Sequence, residues 1–171
     1  MKNITNRRDF VKAGSALSAG AFLASPHIAK AAQDDKVIKI GLVGIGGRGS
    51  GAAAQAMNAD PNVALTAIGD LFEDRIKLRS RILKARGRDK YQVTEETTFI
   101  GFDSYKKVID SGVDVVILTT PPAFRPQHLE YAISKGVHCF FEKPVAVDAE
   151  GVRKVIELAK KAKEKNLALT P

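Results

Sequence analysis

Apolar and polar positions alternate in blocks along most of the chain. Val37–Val43 is a short β-rich run that leads straight into Gly44-Ile45-Gly46-Gly47-Arg48-Gly49, and small, helix-compatible residues follow from Ser50 to Met57. A second β-rich run, Val63–Gly69, ends in Asp70, and the pattern after it predicts a helix over Glu73–Arg86 closed near Gly87. Beyond a polar connection at 88–96, a short strand is predicted at Thr97–Ile100 and a short helix at Phe102–Ile109, stopped by Gly112. Val113–Leu118 is almost continuously apolar, as a parallel strand buried on both faces must be. It stops at Thr119-Thr120-Pro121-Pro122, because proline has no N–H to give to a ladder. A helix over Arg125–Ser134 ends at Gly136, and Val137–Phe141 reads as a fifth strand. Asp148 is the expected N-cap of a last helix, whose Val152, Val155, Ile156, Ala159 and Ala162 recur at helical spacing. The opposite face carries Lys154, Lys160, Lys161, Lys163 and Lys165 and reads as solvated. Asn166–Pro171 begins a sixth strand.

Strands alternating with helices imply right-handed crossovers and an α/β fold: a Rossmann-type, doubly wound parallel sheet in three layers over residues 37–171. In that context the glycine turn has a meaning, since it stands between a strand and a helix. Gly44 is placed to make the tight turn, Gly46 to let a pyrophosphate approach the backbone, and Gly49 to let helix and strand pack closely. With Ile45, Gly47 and Arg48 between them they form a candidate nucleotide-binding loop, ahead of a helix N-terminus whose unpaired N–H groups suit phosphate. Asp70 lies a little past the offset of roughly 20 residues at which an acid takes the adenosine ribose. The alternative expectation is that it simply caps the helix beginning near Phe72.

Composition narrows the picture further. The 171 residues are 44% hydrophobic with one Cys and no Trp, which suits one α/β domain and excludes disordered, collagenous and disulfide-framed classes. Of the net charge of +8, half falls in the first 31 residues and half in the remaining 140, and no basic arm is interleaved with aromatics, so no nucleic-acid partner is expected. The first 31 residues stand apart: a charged segment, a diluted apolar run from Ala13 to Ile28, and Ala29-Lys30-Ala31 as a cleavage site. Arg7-Arg8 followed by Phe10 and Lys12 resembles the twin-arginine export signal, which implies the twin-arginine translocase as a partner and a folded, periplasmic product. Residues 1–31 are therefore expected to be a leader that takes His27 with it, 32–36 a linker, and 37–171 the mature domain. No metal-ligand spacing and no nucleophile elbow are present, so no metal is expected.

The glycine turn, Thr119-Thr120-Pro121-Pro122 and Gly136-Val137-His138-Cys139-Phe140-Phe141-Glu142-Lys143-Pro144 together resemble the N-terminal half of the Gfo/Idh/MocA family, the glucose-fructose oxidoreductase and inositol dehydrogenase type. Phe124-Arg125-Pro126-Gln127-His128 is similar to its exported bacterial branches. The resemblance implies hydride transfer between NAD, with NADP as the alternative, and a small carbohydrate-like substrate: a sugar, cyclitol or polyol. It implies that Glu142 binds the nicotinamide ribose, that Lys143 positions or polarises the substrate hydroxyl as the catalytic residue, and that Pro144 fixes the turn through a Lys-Pro bond that is often cis. Thr119, Thr120 and Pro121 are expected along the cofactor. His128 is a weaker candidate that could instead be packed at a helix end, Lys143 could be an ordinary strand-end lysine, and His138, within a strand, is expected to be structural. Family members continue into a second domain that carries most substrate contacts and the oligomer interface. After Pro171 the C-terminal substrate domain is expected to be absent, and the chain to be a fragment of a longer protein that forms homo-oligomers only with that domain. An exported NAD-dependent glycosidase of the same fold, or a non-catalytic nucleotide-binding module if Pro171 is the true C-terminus, are the competing expectations.

Overall fold

Each β-rich run becomes a strand and each small-residue or amphipathic run a helix, in the alternating order the pattern requires. The computed structural model describes residues 36–171; the expected leader and most of the linker lie outside the described residues. The elements are β1 (Ile38–Val43), α1 (Gly47–Ala59), β2 (Val63–Asp70), α2 (Glu73–Gly87), β3 (Thr98–Ile100), α3 (Ser104–Asp110), β4 (Val115–Leu118), α4 (Arg125–Ser134), β5 (His138–Phe141), α5 (Ala149–Glu164) and β6 (Leu169–Thr170). Single 3-10 turns at Arg88–Lys90 and Pro122–Phe124 complete the set.

All six strands are parallel, in the order β3-β2-β1-β4-β5-β6. The strand order reverses between β1 and β4, which opens a crevice at their carboxyl ends. Residue alternation divides the core into two faces. Ile40, Leu42, Leu65, Ile68 and Ile117 pack with Ala52, Ala53 and Met57 of α1 and Ile76 and Leu83 of α2. Val43, Ala67, Val116, Leu118 and Phe141 pack on the other face with Tyr105 and Val108 of α3, Leu129 and Ile133 of α4, and Val155 and Leu158 of α5. This is the three-layer, doubly wound arrangement expected from the alternation of elements.

Local differences have local causes. Helix α1 begins at Gly47 rather than Ser50, so two of the glycines that read as turn residues lie in its first turn. β4 begins at Val115, since the Asp114 carboxylate accepts the Lys39 N–H at 2.8 Å where a strand carbonyl would. The connection at 88–96 is not wholly irregular: Gln92 N donates to Leu65 O at 2.9 Å, and Tyr91 bridges Leu65.

The last helix departs further from expectation. Asp148 does cap it, accepting from Gly151 N at 2.6 Å, but only Val155 and Ala162 of the five expected core positions are buried. Val152 and Ile156 stay 39% and 54% exposed, and Leu158 takes their place in the core. The stripe that meets α4 and the sheet is narrower than the apolar arc of the sequence. Nor is the lysine face wholly solvated: Lys154 pairs with Glu130 at 2.7 Å and Lys165 donates to Ile133 O at 3.0 Å. Among the described residues no helix is long and apolar enough to cross a membrane.

Candidate functional site

The crevice at the reversal of strand order is a cleft of about 890 Å³. Its floor is the β1–α1 turn. Gly44 has φ +91°, a conformation that favours glycine, and a Cβ there would stand 2.8 Å from Thr120 N. A Cβ on Gly49 would fall inside contact distance of Gly44 O and Thr119 Oγ1, so the close approach of helix to strand needs the bare backbone. Thr119 locks the same turn, its Oγ1 donating to Gly44 O at 2.5 Å.

Gly46 is different. It caps α1 with extended backbone, and a Cβ there would meet nothing within 4 Å. The fold has no need of glycine at this position, and Gly46 lines the cleft. The first helical bond is Ser50 N to Gly46 O at 2.9 Å, so the N–H groups of Gly47, Arg48 and Gly49 precede the ladder. No acidic residue stands in that first turn. An uncapped helix N-terminus behind an open glycine is a place for an anion.

Asp70 ends β2 with its side chain buried, and both carboxylate oxygens are engaged by backbone. Oδ2 accepts from Ile45 N at 2.8 Å and Oδ1 from Phe72 N at 3.0 Å. Asp70 is not the cap of α2, whose N-cap is Phe72 without a side-chain cap bond; its carboxylate instead turns the chain just before that helix and pins the glycine turn from 25 residues away. Each oxygen keeps a lone pair, and Asp70 lines the cleft. Of the two nearby cations, Arg75 lines the cleft with its guanidinium 4.7 Å over the Phe72 ring. Lys77 is instead paired with Glu73 at 2.7 Å.

At the other end of the cleft lie Thr120, Pro121, His128, Glu142 and Lys143. Glu142 is paired with Arg48 across the crevice, Oε1 lying 2.7 Å from Nε and 2.5 Å from Nη2, and the pair raises the Arg48 pKa from its ordinary value. Lys143 is exposed at the cleft, with no hydrogen-bond or ion-pair partner among the described residues. The Lys143–Pro144 peptide bond is cis. His128 is 5% exposed, stacked on Tyr105 at 4.1 Å between ring centroids, with Nδ1 3.2 Å from Thr120 Oγ1. Burial, and then the Arg125 charge, lower its pKa to about 4, so it is neutral at pH 7. It is thus both packed at a helix end and part of the cleft wall. His138 is structural, its Nδ1 accepting from Ala168 N at 2.9 Å, and burial pushes the neighbouring Cys139 thiol up to about 12.

Sequence reasoning passed over Arg125. Its guanidinium is 1% exposed, and its Nη1 and Nη2 donate to the carbonyls of Pro144 and Thr120, clasping the ends of β4 and β5 together. A signal existed: arginine opens a helix, where acids are favoured. Tyr105, which stacks on His128, gave none beyond an aromatic residue in a short helix.

A glycine turn, an open helix N-terminus and a buried acid closing β2, set at a reversal of strand order, define a dinucleotide-binding α/β domain. The model of the oxidoreductase family with NAD-binding Rossmann fold, Gfo/Idh/MocA, matches residues 38–169, and the chain belongs to that family as its NAD-binding domain. A glycosyl hydrolase family 109 protein from Porphyromonas gingivalis is 26% identical over 131 residues, covering 75% of this chain and 27% of its own length. Among solved structures, scyllo-inositol dehydrogenase from Lactobacillus casei has a TM-score of 0.62 at 22% identity, over 80% of this chain and 36% of its own. UDP-N-acetylglucosamine 3-dehydrogenase from Acidithiobacillus ferrooxidans has 0.57 at 25% identity, over 77% and 36%. The chain thus spans about a third of the proteins it matches.

Proposed function

We propose that this chain is the cofactor half of an exported NAD-dependent oxidoreductase that removes a hydride from a CH–OH carbon of a sugar, cyclitol or related polyol. The observation that carries the reading is Lys143, exposed and unpaired among the described residues, at one end of a cleft whose other end holds the buried Asp70. The cleft residues fit the cofactor by chemistry. Backbone N–H groups from Gly46 to Gly49 take the pyrophosphate, Asp70 accepts from the adenosine ribose, and Glu142 accepts from the second ribose. The bound cofactor supplies the hydride acceptor. Lys143 donates to the substrate oxygen and stabilises the negative charge that develops there as its proton leaves. Asp70 repels a 2′-phosphate and favours NAD, while Arg75 at the same end of the cleft offers NADP a counter-charge. Export by the twin-arginine route accounts for Arg7-Arg8, since that route carries proteins already folded around a cofactor.

The name of the Porphyromonas relative supports a second reading, a glycosidase that oxidises, eliminates and re-reduces without net use of NAD. One experiment separates the two. The full-length protein is incubated with NAD and either free cyclitols and sugars or aryl glycosides. Accumulation of reduced cofactor with a free polyol supports the dehydrogenase; release of the aglycone with no net reduction supports the glycosidase. In the same assay Lys143→Ala should lower turnover by on the order of a hundredfold with little change in cofactor affinity. Wild-type turnover in that variant would return Lys143 to a strand-end residue.

A further inference from the structure

The charges around the cleft do not cancel evenly. Asp70 is held by two backbone N–H groups, Asp103 pairs with Lys106 at 2.8 Å, and Glu142 pairs with Arg48. Among the described residues those are the three carboxylates that line the cleft, and none is in a salt bridge with Arg125 or Lys143. His128 is neutral. The end of the cleft formed by β4 and β5 therefore carries more positive than negative charge: Lys143 is exposed, and buried Arg125 feels only the distant pull of Glu142, which is already paired with Arg48.

The buried cation is costly. Arg125 is 1% exposed, and among the described residues its hydrogen-bond partners are two neutral carbonyls and its Nε has none. It opens α4, so the positive end of a helix of 10 residues adds to its charge rather than offsetting it. Taking an ion out of water is costly when no counter-ion touches it, and Glu142 acts on Arg125 only through space. A neutral amide could donate to one of the same carbonyls at far lower cost, so stability does not account for a guanidinium here. What it supplies is a fixed positive potential in a partly dry part of the cleft.

Glycine turn and Asp70 place the pyrophosphate and the adenosine half of a dinucleotide over α1 and β2, which leaves the β4–β5 end for the nicotinamide half. We propose that Arg125 sets the redox preference of the bound cofactor, making the cleft hold the uncharged, reduced nicotinamide more tightly than the cationic, oxidised ring. The proposal rests on the dinucleotide reading above. Its chemistry balances: the oxidised ring takes one hydride, a proton with two electrons, from the CH–OH carbon and loses its positive charge, while the hydroxyl proton leaves separately and the carbon becomes a carbonyl. A fixed cation favours the side of that exchange on which the ring is neutral. It thereby draws the hydride off the substrate.

The test is a set of titrations of the chain with NAD+, NADH and ADP-ribose, for wild type, Arg125→Gln and Arg125→Lys. ADP-ribose carries no nicotinamide and reports whether the phosphate and adenosine sites are intact. Wild type should bind NADH on the order of tenfold more tightly than NAD+. Arg125→Lys, which keeps the charge and loses the two-pronged grip, should retain that preference even if both affinities fall. Arg125→Gln should bring the ratio close to one with ADP-ribose affinity unchanged. Should Arg125→Gln fail to fold, wild type alone still decides: a preference set by a buried charge persists in high salt, whereas one set by exposed Lys143 is screened away. Equal wild-type affinities, a ratio kept in Arg125→Gln, equal loss in both variants, or collapse of the ratio in salt each overturns the proposal. Failure of wild type to bind ADP-ribose overturns the dinucleotide reading itself, and this proposal with it.

Discussion

Two glycines only three positions apart, Gly46 and Gly49, show how differently one residue type can be used. Gly49 is required by the fold, because any Cβ would collide with Gly44 O and Thr119 Oγ1. Gly49→Ala should therefore destabilise by about 1–3 kcal/mol, the range for overpacking, as read by urea unfolding. Gly46 faces open space, and Gly46→Val should leave the unfolding midpoint in place while nucleotide binding is lost. Retained binding would make that glycine merely permissive. His128 yields a prediction about pH. Its folded-state pKa of about 4 lies below its ordinary 6.5, so the unfolded chain takes up the proton first as pH falls. The stability it contributes is fully present above about pH 6.5 and is lost progressively toward pH 4, to a limit of about 3 kcal/mol. Denaturation at stepped pH should show that slope, and His128→Gln should flatten it.

At the scale of elements, the strands and most helices were legible because period and punctuation agree. Helix α4 runs over the predicted Arg125–Ser134, bounded by the Pro-Pro turn and Gly136. Helix α1 was misread at its start because glycine carries no apolar signal, and the first turn is held by packing against Thr119 and Gly44 rather than by propensity. The error in α5 is of another kind: amphipathic periodicity shows that a face exists, but the width of its contact is set by α4 and the sheet. Its cap was legible, and Asp148→Ala should cost about 1 kcal/mol, measured as a drop in thermal midpoint with the fold intact. An unchanged midpoint would mean that packing of Val155 and Leu158 holds that helix end without help.

For the whole molecule, the leader and the domain make one coherent proposal: a protein folded around its cofactor before it leaves the cytoplasm. Replacing Arg7 and Arg8 together by Lys should leave the precursor in the cytoplasm, followed by fractionation and immunoblotting. Undiminished export of the double variant would assign the chain to another route. The domain spans about a third of the length of its matched relatives, so the choice between dehydrogenase and glycosidase belongs to experiments on the full-length protein.

Fold class, the order of elements and the identity of the glycine turn were determined by the sequence alone, because they depend on local period, on turn residues and on spacing between neighbours in the chain. What tertiary structure decided are relations between residues far apart in it. Asp70 reaches back to Ile45, Arg48 reaches across to Glu142, and Arg125 joins Thr120 to Pro144. Spacing pointed to Asp70 but not to its bond with Ile45, and the other two carry no spacing rule at all, since each depends on how parallel strands bring their carboxyl ends together. The burial of Arg125 is likewise invisible to hydropathy, which places an arginine on the surface. Only the clasp of two carbonyls at the ends of β4 and β5 holds that charge inside, where water cannot screen it.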